Sequence, residues 1–284
     1  MADILLHPAT TREIEALARR PRHALLIVGE EGSGTDVIAD MLAKRLLGIS
    51  ELENYPYLMH ITPEKGTIGI GQVRELNGFL RLKTTGGSDI RRVVVIAGAE
   101  TMPREAQNAL LKILEEPPHD TVLILTSTQS GNLLPTIHSR VRRLDVSTPT
   151  EAESIAFYSS YGRDEVSRAY MISNGQQALL AALLEQNTDH PLVLAIQQAK
   201  RVFSSTLFER LAMIDVLARD KTGLPAFLQA CSRVANAALT SAVLKKSPSA
   251  KRWHAALKRI KRAESELKSS PNAKLLLTDL MLSL

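Results

Sequence analysis

A glycine-rich segment near the N-terminus has the spacing of a phosphate-binding loop. In the pattern GxxxxGK[ST], backbone N–H groups wrap the phosphates, the lysine neutralises the terminal ones, and the hydroxyl ligates magnesium. The segment here reads GEEGSGTD, with glycines at Gly29, Gly32 and Gly34. Thr35 stands at the lysine position and Asp36 at the hydroxyl position, which reverses the charge that a polyphosphate needs. The sequence predicts a loop without tight ATP binding, although an ordinary helix-entry turn would have the same glycines.

The loop lies within an alternation of buried strands and helices. Apolar runs predict strands at Ala24–Val28, Arg92–Ala97, Thr121–Thr126 and Val141–Val146. Apolar residues at helical spacing predict a first helix capped at Thr10 and Thr11, helices over Thr35–Leu47 and Ile70–Leu80, a turn at residues 84–89, and a helix from Pro103 to the stop at Pro117 and Pro118. This alternation predicts an α/β layer with a mainly parallel sheet.

The second half of the chain has a different pattern. From Thr150 onward the strand signals end, and apolar residues at helical spacing continue to Leu284. We expect an α/β core over residues 1–148, a small helical lid over 149–188 and a helical bundle over 189–284. The predicted fold is therefore α/β plus all-α.

Composition excludes several classes of protein. The 284 residues are 44% hydrophobic, which is enough for a sizeable core, and the single cysteine, Cys231, permits neither an internal disulfide nor a cysteine metal cluster. No apolar run approaches the roughly 18 residues of a membrane span, and the first residues become polar too early for a secretory signal. We expect a cytoplasmic protein that does not contact a membrane.

Residues Asn108–Pro118, NALLKILEEPP, resemble the signature helix of bacterial clamp-loader subunits, which are AAA+ proteins. Further blocks follow the order of that family: EKGTIGIGQVREL from Glu64, RRVVVIAGAETM from Arg91, AQNALLKILEEPP from Ala106, and LLPTIHSR ending at Arg140. Together they cover most of the first 145 residues. The resemblance implies an AAA+ core with a mainly parallel sheet, a small helical lid and a C-terminal helical collar domain.

The resemblance also implies that catalytic groups are missing. Family ATPases carry an acidic pair after the hydrophobic strand, one carboxylate for magnesium and one to activate water. Ala97 and Gly98 stand at those positions here. The four-cysteine zinc module of many family members is absent from residues 48–66. We therefore expect no enzyme activity of the chain's own and no bound cofactor or metal, as in the non-hydrolysing subunits of the family.

A serine–arginine pair is the positive functional signal. In the family this pair reaches into a neighbour's ATP site, where the guanidinium stabilises charge on the γ-phosphate. Ser139 and Arg140 match it. An arginine between a helix and a strand is otherwise an ordinary solvated residue. The implied partners are the gamma or tau motor subunits and the delta subunit, with the sliding clamp contacted indirectly and primed DNA as a candidate.

A basic run near the C-terminus is a second charge signal. The run contains nine Lys or Arg residues but only two acidic residues, Glu264 and Glu266. The cations are Lys245, Lys246, Lys251, Arg252, Lys258, Arg259, Lys261, Arg262 and Lys268. The run is consistent with contact to a DNA backbone, with a subunit interface or with a solvated face. Trp253, within it, is expected to pack between helices rather than to stack on a base.

Two alternative functions remain open on the sequence. In the first, the chain is an active ATPase of the gamma/tau type with an unusual loop, and Lys65, Lys83 or Lys112 replaces the missing lysine. In the second, it is a degenerate AAA+ adaptor outside replication that has been kept for protein contacts alone.

Overall fold

The computed structural model describes residues 4–85, 89–220, 223–267 and 272–284. Within the predicted turn at 84–89, residues 86–88 lie outside the described residues, as does Lys268 of the basic run. The chain forms two compact units. The first is Leu6–Thr148, and the second is Pro149–Leu284 together with Ile4 and Leu5.

The first unit contains a five-stranded sheet in which every pairing is parallel. Its strands are β1 (Ala24–Val28), β2 (Leu58–Ile61), β3 (Arg92–Ile96), β4 (Thr121–Ser127) and β5 (Arg142–Asp145). They lie in the order β2-β3-β4-β1-β5. The predicted mainly parallel sheet is confirmed. Because all strands point the same way, the loops that follow β1, β3 and β4 meet at one edge, which we call the carboxyl edge.

The edge strand β2 is absent from the sequence prediction. It has only four residues, LMHI, of which Ile61 alone is buried. A run this short, interrupted by His60, lacks the apolar pattern of a central strand. Pairing with β3, from Leu58 opposite Val93 to Ile61 opposite Ile96, makes it a strand.

Helices cover the sheet of the first unit. They are α1 (Pro8–Arg19), α2 (Thr35–Leu47), α3 (Ile70–Leu80), α4 (Arg104–Glu115) and the short α5 (Pro135–His138). Helix α1 begins earlier than predicted, because His7 rather than Thr10 caps it: the His7 Nδ1 accepts from the Ala9 N–H at 3.1 Å. Thr10 is buried and instead accepts from the Ser147 N–H at 3.0 Å.

The core of the first unit lies between the sheet and its helices. Strands β3 and β4 are buried along their whole length, as expected for a parallel sheet covered on both faces. One cluster joins the sheet to α3 and α4; its members include Leu26, Val94, Ile96, Leu123, Leu125, Val73, Leu76, Leu110, Ile113 and Leu114. This packing holds the ends of β1, β3 and β4 in fixed positions.

The second unit is helical throughout the part that the structure describes, which confirms the all-α prediction. Its helices are α6 (Glu151–Phe157), α7 (Arg163–Ser173), α8 (Gln177–Leu184), α9 (Pro191–Ser204), α10 (Leu207–Arg219), α11 (Leu224–Leu244), α12 (Ala250–Leu267) and α13 (Ala273–Ser283). The further division at residues 188 and 189 stays a prediction. Among the described helices, none is long and apolar enough to cross a membrane.

Two apolar clusters stabilise the second unit. One contains Tyr158, Val166 and Leu180, and Ile4 and Leu5 pack against it. We expected residues 1–148 to form one core, so this position of Ile4 and Leu5 in the second unit was not predicted. Two apolar residues alone carry no pattern that identifies the residues they pack against. The larger cluster joins α8 through α13; its buried members include Ile196, Phe227, Leu228, Ile260 and Leu277, and Trp253 packs against it.

Candidate functional site

The glycine-rich loop connects β1 to α2 at the carboxyl edge. Gly32 and Gly34 have φ angles of 90° and 84°, which glycine adopts without strain, and Gly34 precedes the first turn of α2. The Ser33 side chain packs so closely on Gly29 that a Cβ there would collide with Ser33 Oγ. Ser33 and Thr35 are both buried. The loop thus has the strand–turn–helix geometry predicted for it, and the side chains of Ser33 and Thr35 are buried within it.

A chain of hydrogen bonds links the three segments that meet at this edge. The Gly98 N–H donates to Thr126 Oγ1 at 3.0 Å, and the Thr126 hydroxyl donates to Asp36 Oδ1 at 2.7 Å. Asp36 follows β1, Gly98 follows β3, and Thr126 lies near the end of β4. The structure therefore brings together Asp36 and Gly98, two predicted site residues, through a threonine that is 1% exposed.

Thr126→Val is expected to destabilise the first unit by about 1–3 kcal/mol, because the Gly98 N–H and the Asp36 carboxylate lose a buried partner. Native-state hydrogen exchange of the β3 and β4 amides measures this loss. Thr126→Ser, which keeps the hydroxyl, is the control and should lose less. Equal losses in the two variants would show that the hydrogen-bond chain contributes nothing.

One further carboxylate lies close to Asp36. Asp40, one turn later on α2, lies 3.7 Å from His60 Nε2 of β2. Burial raises the pKa of Asp40, the charge of Asp36 raises it further, and His60 opposes both effects. A rise in the pKa of a carboxyl means that its environment disfavours negative charge. Burial, and to a lesser extent the charge of Asp36, therefore disfavour negative charge at Asp40.

The three lysines considered as substitutes for the missing loop lysine lie elsewhere in the first unit. Lys65 follows β2, which is three strand positions from β1, about 14 Å across the sheet. Lys83 precedes β3, and Lys112 lies near the end of α4, which returns to the start of β4. Both are therefore at the opposite edge of the sheet from the loop, which we call the amino edge.

Arg140 also lies at the amino edge, just before β5. Its guanidinium has three partners: one terminal nitrogen donates to the Thr136 carbonyl at 2.9 Å and to Ser139 Oγ at 3.1 Å, and the other lies 2.6 Å from Glu115 Oε1. The Ser139 hydroxyl donates in turn to the Thr136 carbonyl at 2.9 Å. The arginine side chain remains 33% exposed. The predicted pair Ser139 and Arg140 is thus joined directly.

The sheet separates Arg140 from the loop of its own chain. Arg142 pairs with Leu25, so Arg140 lies beside the start of β1, whereas the loop begins after Val28. The length of β1 corresponds to about 13 Å. Arg140 therefore faces away from the loop, next to an open cleft of about 700 Å³ that it lines with Arg22, His23, Glu115 and Arg142.

Glu115 and Thr136 are the contacts of Arg140 that sequence reasoning missed. Glu115 belongs to the NALLKILEEPP motif, but 25 residues separate it from Arg140, and no local spacing links the two. The other arginines of β5 make separate pairs: Arg142 lies 3.4 Å from Glu13, and Arg143 lies 2.7 Å from Asp145. Arg140 is the one that α4 and α5 position together.

Comparison with known proteins identifies relatives of the first unit. Residues 10–150 match the sequence profile of the family described as DNA polymerase III, delta subunit. DNA polymerase III subunit delta' of Pseudomonas aeruginosa is 35% identical over 166 residues, which are 52% of this chain and 50% of that protein. The subunit delta' of Escherichia coli is 32% identical over 188 residues, 58% of this chain and 52% of that one. The chain spans about half the length of these relatives.

A solved structure extends the likeness in fold to nearly the whole chain. A DNA polymerase III gamma-subunit-related protein from Thermotoga maritima superposes with a TM-score of 0.55, covering 95% of this chain and 97% of that one at 21% identity. Identity this low shows the fold alone, and that fold agrees with the parallel sheet and helical second unit described above. By sequence, the first unit of the chain belongs to the family of DNA polymerase III delta' subunits, and nearly the whole chain shares the fold of the gamma-subunit-related protein.

Proposed function

We propose that this chain is a non-hydrolysing subunit of the replicative clamp loader that supplies Arg140 in trans to a neighbouring motor subunit. It would assemble with gamma- or tau-type ATPase subunits and a delta subunit, and act while the sliding clamp is placed on primed DNA. The observation that carries the proposal is the position of Arg140. Its guanidinium is oriented and partly exposed at the amino edge, where the loop of its own chain is out of reach.

The groups at the carboxyl edge do not suit a magnesium–nucleotide complex. Thr35 is buried where the phosphate-neutralising lysine would stand, and Asp36 is bonded to Thr126 where a magnesium-binding hydroxyl would stand. Ala97 and Gly98 have no side-chain group that could bind magnesium or activate water. With the carboxylates of Asp36 and Asp40 both on α2 at this edge, an added polyphosphate would meet repulsion. These features favour a subunit that hydrolyses nothing itself.

The contacts of Arg140 suit an arginine finger, because they orient its guanidinium but leave it able to change partner. A guanidinium is planar and can donate two parallel hydrogen bonds to phosphate oxygens. Thr136 and Ser139 hold one of its nitrogens, while Glu115, itself 50% exposed, holds the other. An ion pair between side chains this exposed contributes only about 0–1 kcal/mol. A neighbour's γ-phosphate could therefore replace Glu115 at small cost.

The isolated chain is expected to show no ATP turnover above the buffer rate, because four contributors to hydrolysis are missing. The measurement is phosphate release with a motor subunit of the same loader as positive control. Turnover that survives repurification would overturn the non-hydrolysing assignment and support the ATPase alternative, with Lys65→Gln, Lys83→Gln and Lys112→Gln locating the substitute lysine.

Co-assembly separates the proposal from an adaptor outside replication. We expect the chain to elute in stoichiometric complex with motor and delta subunits in gel filtration. Failure to join that complex, with each subunit folded by circular dichroism, would contradict the clamp-loader role.

A further inference from the structure

The positive charge of this protein is concentrated in one short segment. Residues 245–267 carry eight Lys or Arg and two Glu, a net charge of +6, whereas the whole chain carries +5. The remaining 261 residues hold 27 Lys or Arg and 28 Asp or Glu, a net charge of −1. The segment comprises the connection that follows α11 and all of α12. The basic character of the chain is therefore local.

Helix α12 presents these cations on a single face. Its apolar side, with Ala256, Ile260 and Ala263 buried, packs into the large cluster of the second unit. Lys251, Lys258 and Arg262 fall within about 40° of one another around the opposite side and extend over about 16 Å of helix. Exposed flanking cations widen this stripe; they are Arg252, Arg259 and Lys261. We call these six residues the basic face.

The basic face is short of counter-ions. Arg262 lies 2.7 Å from Glu266 and also feels the charge of Asp279, and Arg259 donates to the Ser283 carbonyl. Among the residues that the structure describes, no carboxylate lies within ion-pair distance of Lys251, Lys258 or Lys261. A face kept only for solubility is usually laced with Glu–Lys pairs one turn apart, and here one such pair serves six cations.

The side chains around the basic face narrow the kind of polyanion that it fits. The exposed side of α12 carries no large apolar residue that could enter a lipid surface, as a membrane-bound basic helix needs. Trp253 does not offer a platform for unpaired bases, because its ring packs edge-on against Phe203 with centroids 5.2 Å apart. The remaining candidate is a polyanion whose negative charges are regularly spaced, because the cations of the basic face lie in a row along a rigid helix.

We propose that the basic face of α12 binds the phosphate backbone of duplex DNA without reading its sequence. A duplex carries one negative charge per about 1.7 Å of its axis, so the 16 Å stripe spans roughly ten phosphates. Lysines and arginines that contact phosphate release counterions, which makes the binding strongly dependent on salt. This contact goes beyond the trans-acting role of Arg140 and does not rest on it.

The test is fluorescence anisotropy of a labelled 30-base-pair duplex titrated with the full chain at several salt concentrations. Replacing Lys251, Lys258 and Lys261 together by Gln is expected to weaken binding at least tenfold and to reduce the slope of log K against log salt by about 2–3. The control changes the same net charge elsewhere, with Lys83→Gln, Arg104→Gln and Lys112→Gln in the first unit. It should bind the duplex as the unchanged chain does.

Other outcomes would overturn the proposal. Equal weakening by the control variant would mean that net charge alone drives the binding. A poly-glutamate peptide bound as tightly as the duplex would identify a surface for acidic protein, and tighter binding of a single strand would exclude a duplex contact. Circular dichroism confirms folding of both variants. Because the assay contains no nucleotide and no partner subunit, its result is independent of Arg140.

Discussion

Arg140→Ala is expected to abolish fast ATP hydrolysis at one site of a clamp loader reconstituted with this chain. An arginine finger contributes roughly 10³–10⁵-fold in rate in GTPases, because its guanidinium stabilises charge that develops on the transferred phosphoryl group. Only the motor site beside Arg140 would lose this group. Single-turnover phosphate release in the presence of clamp and primed DNA should therefore lose the fast phase of at least one ATP per ring.

Two variants make the Arg140 experiment specific. Arg142→Ala removes a more exposed arginine two residues away that pairs with Glu13, and it should leave the fast phase intact. Arg140→Lys keeps the charge but lacks the planar fork, so it should restore only part of the rate. Gel filtration must show that every ring has assembled equally. If Arg140→Ala leaves the fast phase unchanged, Arg140 does not act as an arginine finger and the chain serves only as a scaffold.

Phe227→Ala is expected to destabilise the second unit by about 3–5 kcal/mol. The Phe227 side chain is 1% exposed in the centre of the large cluster, so truncation leaves a cavity that the surrounding helices fill only in part. Trp253, the single tryptophan of the chain, packs against the same cluster. Its fluorescence during urea unfolding therefore reports on this unit separately from the sheet.

Phe208→Ala provides the matched control for this cavity. Phe208 has the same side chain but is 82% exposed on α10, and exposed substitutions of this kind change stability by about 0.5 kcal/mol or less. A loss below about 1 kcal/mol for Phe227→Ala, or equal losses for the two variants, would contradict the packing of α11 described above.

The sequence predicted most of the elements of this fold. Runs of apolar residues located β1, β3 and β4 to within one residue at each end, because a strand covered on both faces must be apolar throughout. The bounds of β5 were also predicted to within one residue, but it is an edge strand in which only Leu144 is buried, and not the buried strand that was expected. Helices α2 and α3 were predicted with the bounds that the structure shows. The edge strand β2 was missed, since its state depends on pairing with β3 rather than on its own residues.

The sequence by itself determined which chemical groups this protein has. It holds no lysine at position 35, no acidic pair at Ala97 and Gly98, a serine–arginine pair at Ser139 and Arg140, and a basic run near its C-terminus. Only the tertiary structure decided what those groups contact. Asp36 meets Thr126 across 90 residues, and Arg140 meets Glu115 across 25, because parallel pairing of β1 with β4 and β5 brings their loops together. Local patterns record the spacing of neighbours along the chain, whereas such contacts depend on which strands pair and in what order.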